Sequence, residues 1–476
     1  MQNKTIQNLV LKYFTEICHI PHTTGNEKAI AQYVAKELKK IGAKVQIDKA
    51  GNVYAVKQGK LKVASVCLQA HLDMVGVKAP DIHHDFMKDP IKYYEDKGWI
   101  KAHGTTLGAD NGIGIAMILA TFAKADNTHG QLEAIFTVQE ETTTYGAKHV
   151  PKAIIKSKYF INLDSEHEDF IVVGSCFDND FIGTMNVGRT ASSNGTSNIG
   201  IKLDGGHSGH SGSDIHKAVL NINVELFNIL KTLRKKYEFS IVEIKTIAIK
   251  NSIPNECMVM INTKRTNTNK IQKALLVQVN KMKRAMPSED KIVFSFENLF
   301  TKTKPLKLSD SDKLINLICA ANNGLNRYNF ERSTTDLSTN LAIIDLQYDS
   351  VSVSWLQRSQ TNYFLDEINN KLISLFSLAG GKWKIQNYDI GLEDTGNNAL
   401  IRTIRQIAME KFHRKMDAIQ LHAALEIAGI LKNNPGVISA SIGPNILYPH
   451  TINECVEIKS IMYIYNLLQE VLKSLK

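Results

Sequence analysis

The chain has 476 residues, a formal net charge of +10, 43% hydrophobic residues and 22% charged residues. This length exceeds one compact core and predicts two domains, while the composition is that of an ordinary globular protein. No apolar stretch approaches membrane-spanning length, and the positive charges are spread along the chain without a nucleic-acid-binding motif. We therefore expect neither a membrane nor a nucleic-acid partner.

The six cysteines are far apart in the sequence and form no CxxC pair. This pattern argues against a disulfide framework and against a thiolate zinc site, and it suits a reducing compartment. The first residues, MQNKTIQNLVLKYFTEI, are typical of an amphipathic helix with charges throughout and not of a signal peptide. We therefore expect a cytoplasmic protein.

The N-terminal part of the sequence alternates helices with short apolar strands. GNEKAIAQYVAKELKKIG has apolar residues at helical spacing, and NGIGIAMILATFAK predicts a second helix after a glycine-containing turn. KVASVCLQAHLDM, LEAIFTVQEE and KYFINLDSE predict strands. Because the strands are separated by helices, we expect a largely parallel sheet covered on both faces.

The pattern changes near residue 185, where a stretch rich in glycine and serine begins. SDIHKAVLNINVELFNILKTLRKK predicts one long helix beginning near Ser213, and FSIVEIKTIAIK, CMVMINTK and KIVFSFENLF predict strands. An α/β pattern resumes after residue 384 and closes with the helix IKSIMYIYNLLQEVLKSLK. We predict an α/β domain of residues 1–186 and 385–476, interrupted by an α+β domain of residues 187–384 with an antiparallel sheet.

Acidic and imidazole side chains follow four apolar segments of the N-terminal part. CLQAHLDMV, TTLGADNGIG, FTVQEE and YFINLDSE supply them: His71, Asp73, Asp110, Glu140, Glu141 and Asp164. The carboxyl ends of parallel strands lie along one edge of a sheet, so these side chains are expected to converge. Carboxylates at close range disfavour one another's ionisation unless cations compensate them. Nitrogen and oxygen ligands suit zinc, manganese or cobalt, and the number of ligands suits a two-metal site.

Each motif alone has an ordinary structural explanation. An HxD sequence is common, GADNG is a turn sequence, and the adjacent Glu140 and Glu141 would usually be solvated. In an extended strand, however, His71 and Asp73 would point the same way, so that the carboxylate could orient a ligating imidazole. The four segments together are more specific than any one of them, because all follow the same type of strand end.

The order HLD, GADNG, EE and NLDSE resembles the metallopeptidases of the M20 clan. TLGADNGIGIA, GGHSG…DIH, NSIPNE, LHAALE and SIGPNILYPH are similar to the aminoacyl-histidine dipeptidases, the Xaa-His or bacterial carnosinase type, over nearly the whole chain. The resemblance implies a catalytic domain with a mixed, mainly parallel sheet flanked by helices, and an inserted lid domain. It also implies two divalent ions, with zinc ahead of manganese or cobalt, a small peptide substrate and a homodimer formed through the lid.

The resemblance assigns five residues to the metal centre. His71 and Asp164 would hold one ion, and Asp110 would bridge the two ions. Glu141 and His450 would hold the other, because PHTINE follows a glycine-proline loop and matches the terminal histidine motif of the family.

The resemblance also assigns catalytic roles. Asp73 would orient His71, and Glu140 would take a proton from a metal-bridging water and later deliver it to the leaving amine. A lid histidine would assist, but the family has one HSG where this chain reads HSGHSG, so the match selects His207 from one side and His210 from the other. The alternative for this segment is a glycine-rich turn before a helix.

The resemblance places substrate-binding residues in or near the lid. Asn251 in NSIPNE and Arg358 in WLQRSQ would bind the substrate carboxylate or the oxyanion, although an arginine at a strand end is often simply solvated. His422 and Glu426 in LHAALE would contact substrate, or form an ordinary (i, i+4) pair one turn apart on a helix. The chain departs from the family at GSCFDND, where Phe177 and two acids replace small residues.

The sequence therefore predicts a dinuclear-metal hydrolase that cleaves unblocked dipeptides, with C-terminal histidine as the expected type. Another activity of the clan, such as a tripeptidase or an N-acyl-amino-acid amidohydrolase, would share the same ligands. A binding protein that had lost turnover would show damage at Glu140 or Asp73, and the sequence shows none. A nucleic-acid-binding protein would need a clustered lysine face, which the sequence does not display.

Overall fold

The computed structural model describes residues 2–124, 128–206, 208–217, 219–247, 249–286, 291–392 and 397–476, with side chains from Leu9 onward. The chain forms two compact units. The first unit comprises Met1–Ser175, Leu392–Gln420 and Leu425–Lys476, and the second comprises Cys176–Gly391 and Leu421–Ala424. None of the helices in these described ranges is long and apolar enough to cross a bilayer.

The first unit begins with helices and strands in alternation. Its first helices are α1 (Gln2–Cys18), α2 (Lys28–Lys40), α3 (Ala109–Phe122), α4 (Glu140–Thr143) and α5 (Tyr145–Lys148). Its first strands are β1 (Lys44–Ile47), β2 (Val53–Lys57), β3 (Val66–His71), β4 (Tyr93–Asp96), β5 (Trp99–Ala102), β6 (Leu132–Thr137), β7 (Tyr159–Asn162) and β8 (Phe170–Ser175). The helices and strands expected in this part are thus present.

The second unit follows. Its strands are β9 (Phe177–Asn186), β10 (Thr196–Gly205), β11 (Phe239–Thr246), β12 (Glu256–Lys264), β13 (Ile292–Leu299), β14 (Gly324–Asn329), β15 (Thr334–Leu346), β16 (Ser350–Ser359) and β17 (Lys382–Asp389). Its helices are α6 (Ile222–Arg234), α7 (Thr268–Ala285), α8 (Leu308–Ala320) and α9 (Asn362–Leu378).

The chain then returns to the first unit. The remaining helices are α10 (Ala399–Phe412), α11 (Glu426–Lys432) and α12 (Ile458–Ser474). The remaining strands are β18 (Asp417–Leu421), β19 (Ile438–Ser441), β20 (Ile446–Leu447) and β21 (Cys455–Glu457).

An eight-stranded sheet organises the first unit, in the order β1-β2-β6-β3-β7-β19-β8-β18. The central strands β6, β3, β7 and β19 run parallel, whereas β1, β2 and β8 pair antiparallel with their neighbours. All six residues of β3 are buried, which explains its nearly continuous apolar sequence. The predicted α/β class with a mixed sheet is confirmed, and the parallel centre brings the ends of β3, β6 and β7 to one edge.

Two antiparallel sheets form the second unit, in the orders β11-β12-β10-β13 and β14-β15-β16-β9-β17. A hydrophobic core joins the sheets to α6, α7, α8 and α9, with Trp355 and Phe376 among its largest side chains. This is the α+β arrangement expected for the inserted segment.

The unit boundaries differ from those expected from the sequence. The chain divides after Ser175 and after Gly391, whereas the sequence placed the boundaries at 186/187 and 384/385. Strands β9 and β17 pair with each other, which places both of them in the second unit. The short return of Leu421–Ala424 to the second unit had no signal in the sequence.

The prediction of one long helix from Ser213 is wrong. Ile215–Lys217 forms only a 3-10 turn, and α6 begins at Ile222. Asn221 is extended and its side-chain oxygen accepts a hydrogen bond from Val224 N, so that it caps α6. The apolar spacing continues across this cap, which explains the misplaced start.

Candidate metal centre

Five of the residues singled out in the sequence lie together at the carboxyl edge of the large sheet. His71 is the last residue of β3, Asp110 is the second residue of α3, and Asp164 follows β7 by two residues. Glu140 and Glu141 begin α4, just after β6. Their elements end at the same edge because β3, β6 and β7 are parallel neighbours.

The distances define two groups of ligand atoms that share Asp110. His71 Nε2 lies 3.0 Å from Asp110 Oδ1 and 3.4 Å from Asp164 Oδ1. On the other side, His450 Nε2 lies 3.2 Å from Asp110 Oδ2 and 3.0 Å from Glu141 Oε2. In each group one atom of every member lies within 4.8 Å of the others. A carboxylate between two imidazoles is therefore placed to serve two ions.

The pKa shifts of these residues indicate an excess of negative charge in the cluster. Burial alone would lower the pKa of His71, but Asp164 and Asp110 raise it well above its usual value. Burial opposes the same effect at His450, whose pKa is raised by Asp110 and Glu141. Glu141 Oε1 is buried and has no hydrogen-bond partner in the described part of the chain. The nitrogen and oxygen donors and this unpaired atom fit divalent metal ions.

Glu140 lies beside these ligands, and its carboxyl group also falls within 4.8 Å of His71 and Glu141 atoms. Burial raises the pKa of Glu140 well above its usual value, and the carboxylates of Glu426 and Glu141 add to the rise. The raised pKa favours the protonated form of this carboxyl, and a general acid and base must be able to take up and release a proton.

Asp73 contacts His71 on one side and the adjacent glutamates Glu140 and Glu141 on the other. Its Oδ1 lies 3.6 Å from His71 Nδ1, which is closer, at 3.0 Å, to the Asp73 carbonyl oxygen. The same carboxylate accepts hydrogen bonds from Glu140 N (3.0 Å), Glu141 N (3.2 Å) and Thr24 Oγ1 (2.8 Å). The expected extended geometry is wrong here, because β3 ends at His71 and the glutamate pair opens a helical turn. Asp73 lies beside His71 and also anchors the start of α4.

Glu426 belongs to the first unit and is 2% exposed. Its Oε1 accepts hydrogen bonds from Thr137 Oγ1, at 2.9 Å, and from Gln69 Nε2. Burial raises the pKa of Glu426 to about 8. The expected helical pair with His422 is not formed, because α11 begins at Glu426 and Leu425 before it is extended.

His422 lies in the second unit, where its Nε2 is 2.7 Å from Ser338 Oγ. Burial and the positive charge of Arg358 lower the pKa of His422 to about 3, so this imidazole is neutral at physiological pH. Arg358 itself is 6% exposed, and its Nη1 lies 3.0 Å from Asp178 Oδ2. Arg358 is therefore not solvated, as an arginine at a strand end often is. Asp178 on the neighbouring strand compensates its charge.

The remaining residues expected to bind substrate lie in turns of the second unit. His210 Nδ1 accepts hydrogen bonds from Ser213 N (3.1 Å) and Gly212 N (3.3 Å), which closes a tight turn. Asn251 is exposed, and its carbonyl oxygen accepts a hydrogen bond from Ser211 N at 2.8 Å. His207, the other histidine of HSGHSG, lies outside the described residues.

Comparison with known proteins identifies the family of this chain. The model of peptidase family M20/M25/M40 matches residues 67–474. The chain belongs to this family. As an M20/M25/M40 peptidase, it contains the mixed α/β fold and the clustered imidazole and carboxylate groups described above.

Individual M20 proteins are similar to this chain over almost its whole length. The cytosol non-specific dipeptidase of Escherichia coli K12 is 31% identical over 467 residues, 97% of this chain and 96% of that protein. The crystal structure of aminoacylhistidine dipeptidase from Vibrio alginolyticus superposes with a TM-score of 0.84 at 29% identity, covering 98% and 96% of the two chains. Aminopeptidase PepT from Bacillus cereus, at 17% identity and TM-score 0.55 over 98% of both chains, shares the fold.

Several residues of this M20 centre were missed in the sequence. Asn111 Nδ2 donates a 2.6 Å hydrogen bond to Asp164 Oδ1, and Glu454 contacts the loop before Asp110. Glu166 is exposed and lies close enough to Asp110 and Asp164 to interact with their carboxylates. Asn111, Glu166 and Glu454 all lie inside GADNG, NLDSE and PHTINE, so position within a motif was the available signal.

Proposed function

We propose that the protein is a metal-dependent dipeptidase that cleaves unblocked dipeptides, with Xaa-His dipeptides as the expected substrates. The proposal rests chiefly on one observation: two ligand groups share Asp110, with Glu140 beside them. The similarity to dipeptidases along almost the entire chain supports the substrate class.

The proposed ion ligands are those in contact around Asp110. His71 and Asp164 would hold one ion, Glu141 and His450 would hold the other, and Asp110 would contact both. We propose zinc, with manganese or cobalt as alternatives, because the donor set lacks thiolate. Bound divalent ions would supply Lewis acidity for the scissile carbonyl and would lower the pKa of a water molecule.

Glu140 would act as the general base and acid. Its buried carboxylate accepts the proton of the attacking water and then delivers it to the leaving amine, and the raised pKa suits both steps. Asp73 keeps Glu140 in place through the hydrogen bond from the Glu140 backbone N–H. Because this bond uses the backbone, the Glu140 side chain remains available for proton transfer.

We propose that a histidine of the second unit, His207 or His210, assists catalysis. We propose substrate recognition for three further polar residues of this unit: Asn251, Arg358 and His422. Arg358 would bind a substrate carboxylate in competition with Asp178, which pairs with it in the free protein. We reassign Glu426 from substrate contact to support of the centre, because its hydrogen bonds connect it to Gln69 and Thr137 below the ligands. We also propose a cytoplasmic homodimer formed through the second unit, which would act as a lid.

The test is a substrate panel with metal-free protein to which zinc, manganese or cobalt is restored. We expect metal-dependent cleavage of His-containing dipeptides, and a loss of about 10²–10⁴ in kcat for Glu140→Gln with metal still bound. Glu410→Gln, on the surface of α10, is the matched control and should retain the wild-type rate.

The same panel separates the alternatives. Cleavage confined to tripeptides or to N-acyl amino acids would assign the protein to another activity of the M20 clan. If the metal-loaded wild type cleaved no member of the panel, the hydrolase proposal itself would be refuted.

A further inference from the structure

Glu454 is a buried carboxylate, 3% exposed, that faces the start of α3. Its Oε2 accepts hydrogen bonds from Leu107 N at 2.7 Å and Gly108 N at 3.0 Å. Its Oε1 accepts from Ala109 N at 2.8 Å and Asp110 N at 3.2 Å. Four consecutive backbone N–H groups are thus satisfied by one side chain, in the turn that precedes the non-helical Asp110 and Asn111 and the regular part of α3.

The local sequence of α3 cannot supply this cap. Gly108 occupies the N-cap position with φ +71° and has no side chain to accept the first N–H groups of the helix. A Cβ atom at Gly108 would lie 2.7 Å from Met74 Sδ, so a larger capping residue would not fit. Glu454 therefore supplies from a distant part of the chain what other helices obtain from their own N-cap residue.

The segment that carries Glu454 also carries His450. His450 Nε2 lies 3.2 Å from Asp110 Oδ2, while Glu454 holds the Asp110 backbone N–H. One five-residue stretch between β20 and β21 therefore contacts both the side chain and the backbone of Asp110. His71 contacts the other carboxylate oxygen of Asp110 at 3.0 Å. The orientation of Asp110 between two imidazoles thus depends on where its backbone is held.

We propose that Glu454 is a positioning residue that fixes the Asp110 loop and thereby sets the affinity of the centre for divalent ions, without touching an ion itself. The inference rests on the metal centre of the proposed function. A ligand shared by two sites must be held to within about 0.5 Å, and supports behind the ligands typically change metal affinity by about 10–100-fold when removed. A purely structural cap would stabilise the fold and leave the affinity unchanged.

The experiment compares Glu454→Gln, Glu454→Asp and the control Glu457→Gln. Gln at 454 keeps the size of the side chain but turns an amino group toward two of the four N–H donors. Asp keeps the charge and withdraws the carboxylate by about 1.5 Å, one carbon–carbon bond. Glu457 lies three residues further along the chain, at the end of β21, and accepts from Asn445 Nδ2 at 2.8 Å, away from the Asp110 loop.

The readouts are calorimetric titration of the metal-free protein with Zn²⁺ or Mn²⁺, amide hydrogen exchange, and thermal unfolding without metal. For Glu454→Gln we expect faster exchange at residues 107–110 and a metal Kd raised by about 10–100-fold. Excess metal should restore part of the peptide cleavage. Glu454→Asp should show a smaller rise in Kd, and Glu457→Gln should match the wild type.

An unchanged metal Kd in Glu454→Gln, together with faster exchange at residues 107–110, would reduce Glu454 to a structural cap and overturn the proposal. An equal rise in Kd for Glu457→Gln would overturn it as well. If Glu454→Gln does not fold, the metal Kd of Glu454→Asp is the deciding measurement, and an unchanged value would overturn the proposal. A wild type that binds metal but cleaves no dipeptide would refute the proposed function and leave the affinity test of Glu454 intact.

Discussion

At the scale of single residues, Asp73 connects two parts of the centre that are far apart in the sequence. One carboxylate receives the backbone N–H groups of both Glu140 and Glu141 and the hydroxyl of Thr24, and it lies beside His71. The residue that seemed from its HxD spacing to serve one histidine therefore also orients the glutamate pair. Its removal should disturb a metal ligand and the general base together.

We expect Asp73→Asn to lower kcat at least tenfold and to raise the metal Kd by about 10–100-fold, because an amide leaves one of the three donors without an acceptor. Thr24→Val removes only the 2.8 Å hydrogen bond to Asp73 Oδ2 and should have a smaller effect on both quantities. Steady-state kinetics and metal titration of the two variants check this order. Equal losses in both would mean that the Thr24 contact dominates.

A second residue-scale effect concerns His422 and pH. The folded-state pKa of about 3 lies below the ordinary value of 6.5, so unfolding takes up a proton between these two pH values. The contribution of neutral His422 is therefore complete above pH 6.5 and declines as the pH falls toward 3. The slope for one group is at most about 1.4 kcal/mol per pH unit.

We predict that the free energy of unfolding of the wild type, measured relative to that of His422→Gln, falls by about 2 kcal/mol between pH 7.5 and pH 5. Urea unfolding followed by tryptophan fluorescence is a suitable measurement, because Trp355 is buried in the same unit. A pH-independent difference for His422→Gln would contradict the linkage.

At the scale of elements, helix starts decide the position of functional side chains. Glu454 caps α3 from a distant segment, and Asp73 holds the first turn of α4. In the second unit Asn221 caps α6 through its own side chain, and its Nδ2 also donates to the Leu341 carbonyl at 2.9 Å. Caps built by distant residues connect elements, whereas a local cap such as Asn221 fixes where a helix begins.

We expect Asn221→Ala to lower the free energy of unfolding of the second unit by about 1–2 kcal/mol, as for other lost N-caps. Asn221→Asp keeps the acceptor for Val224 N but turns a buried carboxylate oxygen toward the oxygens of Asn323, Asn340 and Leu341, so it should be at least as destabilising. Metal affinity should be unchanged in both variants, since the metal ligands belong to the first unit. Chemical denaturation and metal titration together check this, and an altered metal Kd would argue against independent units.

At the scale of the whole molecule, the proposed ligands all lie in the first unit: His71, Asp110, Glu141, Asp164 and His450. Without cations, the carboxylates of this cluster repel one another and are compensated only by histidine protonation. Metal binding should therefore stabilise the first unit selectively.

We predict that chelation lowers the unfolding temperature of the first unit and leaves that of the second unit unchanged. An ion present at 100 times its Kd contributes about 2.7 kcal/mol, which corresponds to roughly 5–10 °C for a unit of this size. Differential scanning calorimetry with and without chelator measures both transitions, and hydrogen exchange assigns them. A matching shift of both transitions would show that the units unfold together.

The sequence by itself determined the local patterns: apolar strands separated by helices, the α/β class, and acidic or imidazole residues at strand ends. These followed from the periodicity of side chains, which burial imposes on each element. Tertiary structure decided the rest. The division after Ser175 and the two roles of Asp73 depend on partners far away in the chain, whereas the start of α6 is set by the local cap at Asn221. Position within PHTINE was the one signal for Glu454, because its four hydrogen bonds join it to residues about 345 positions earlier.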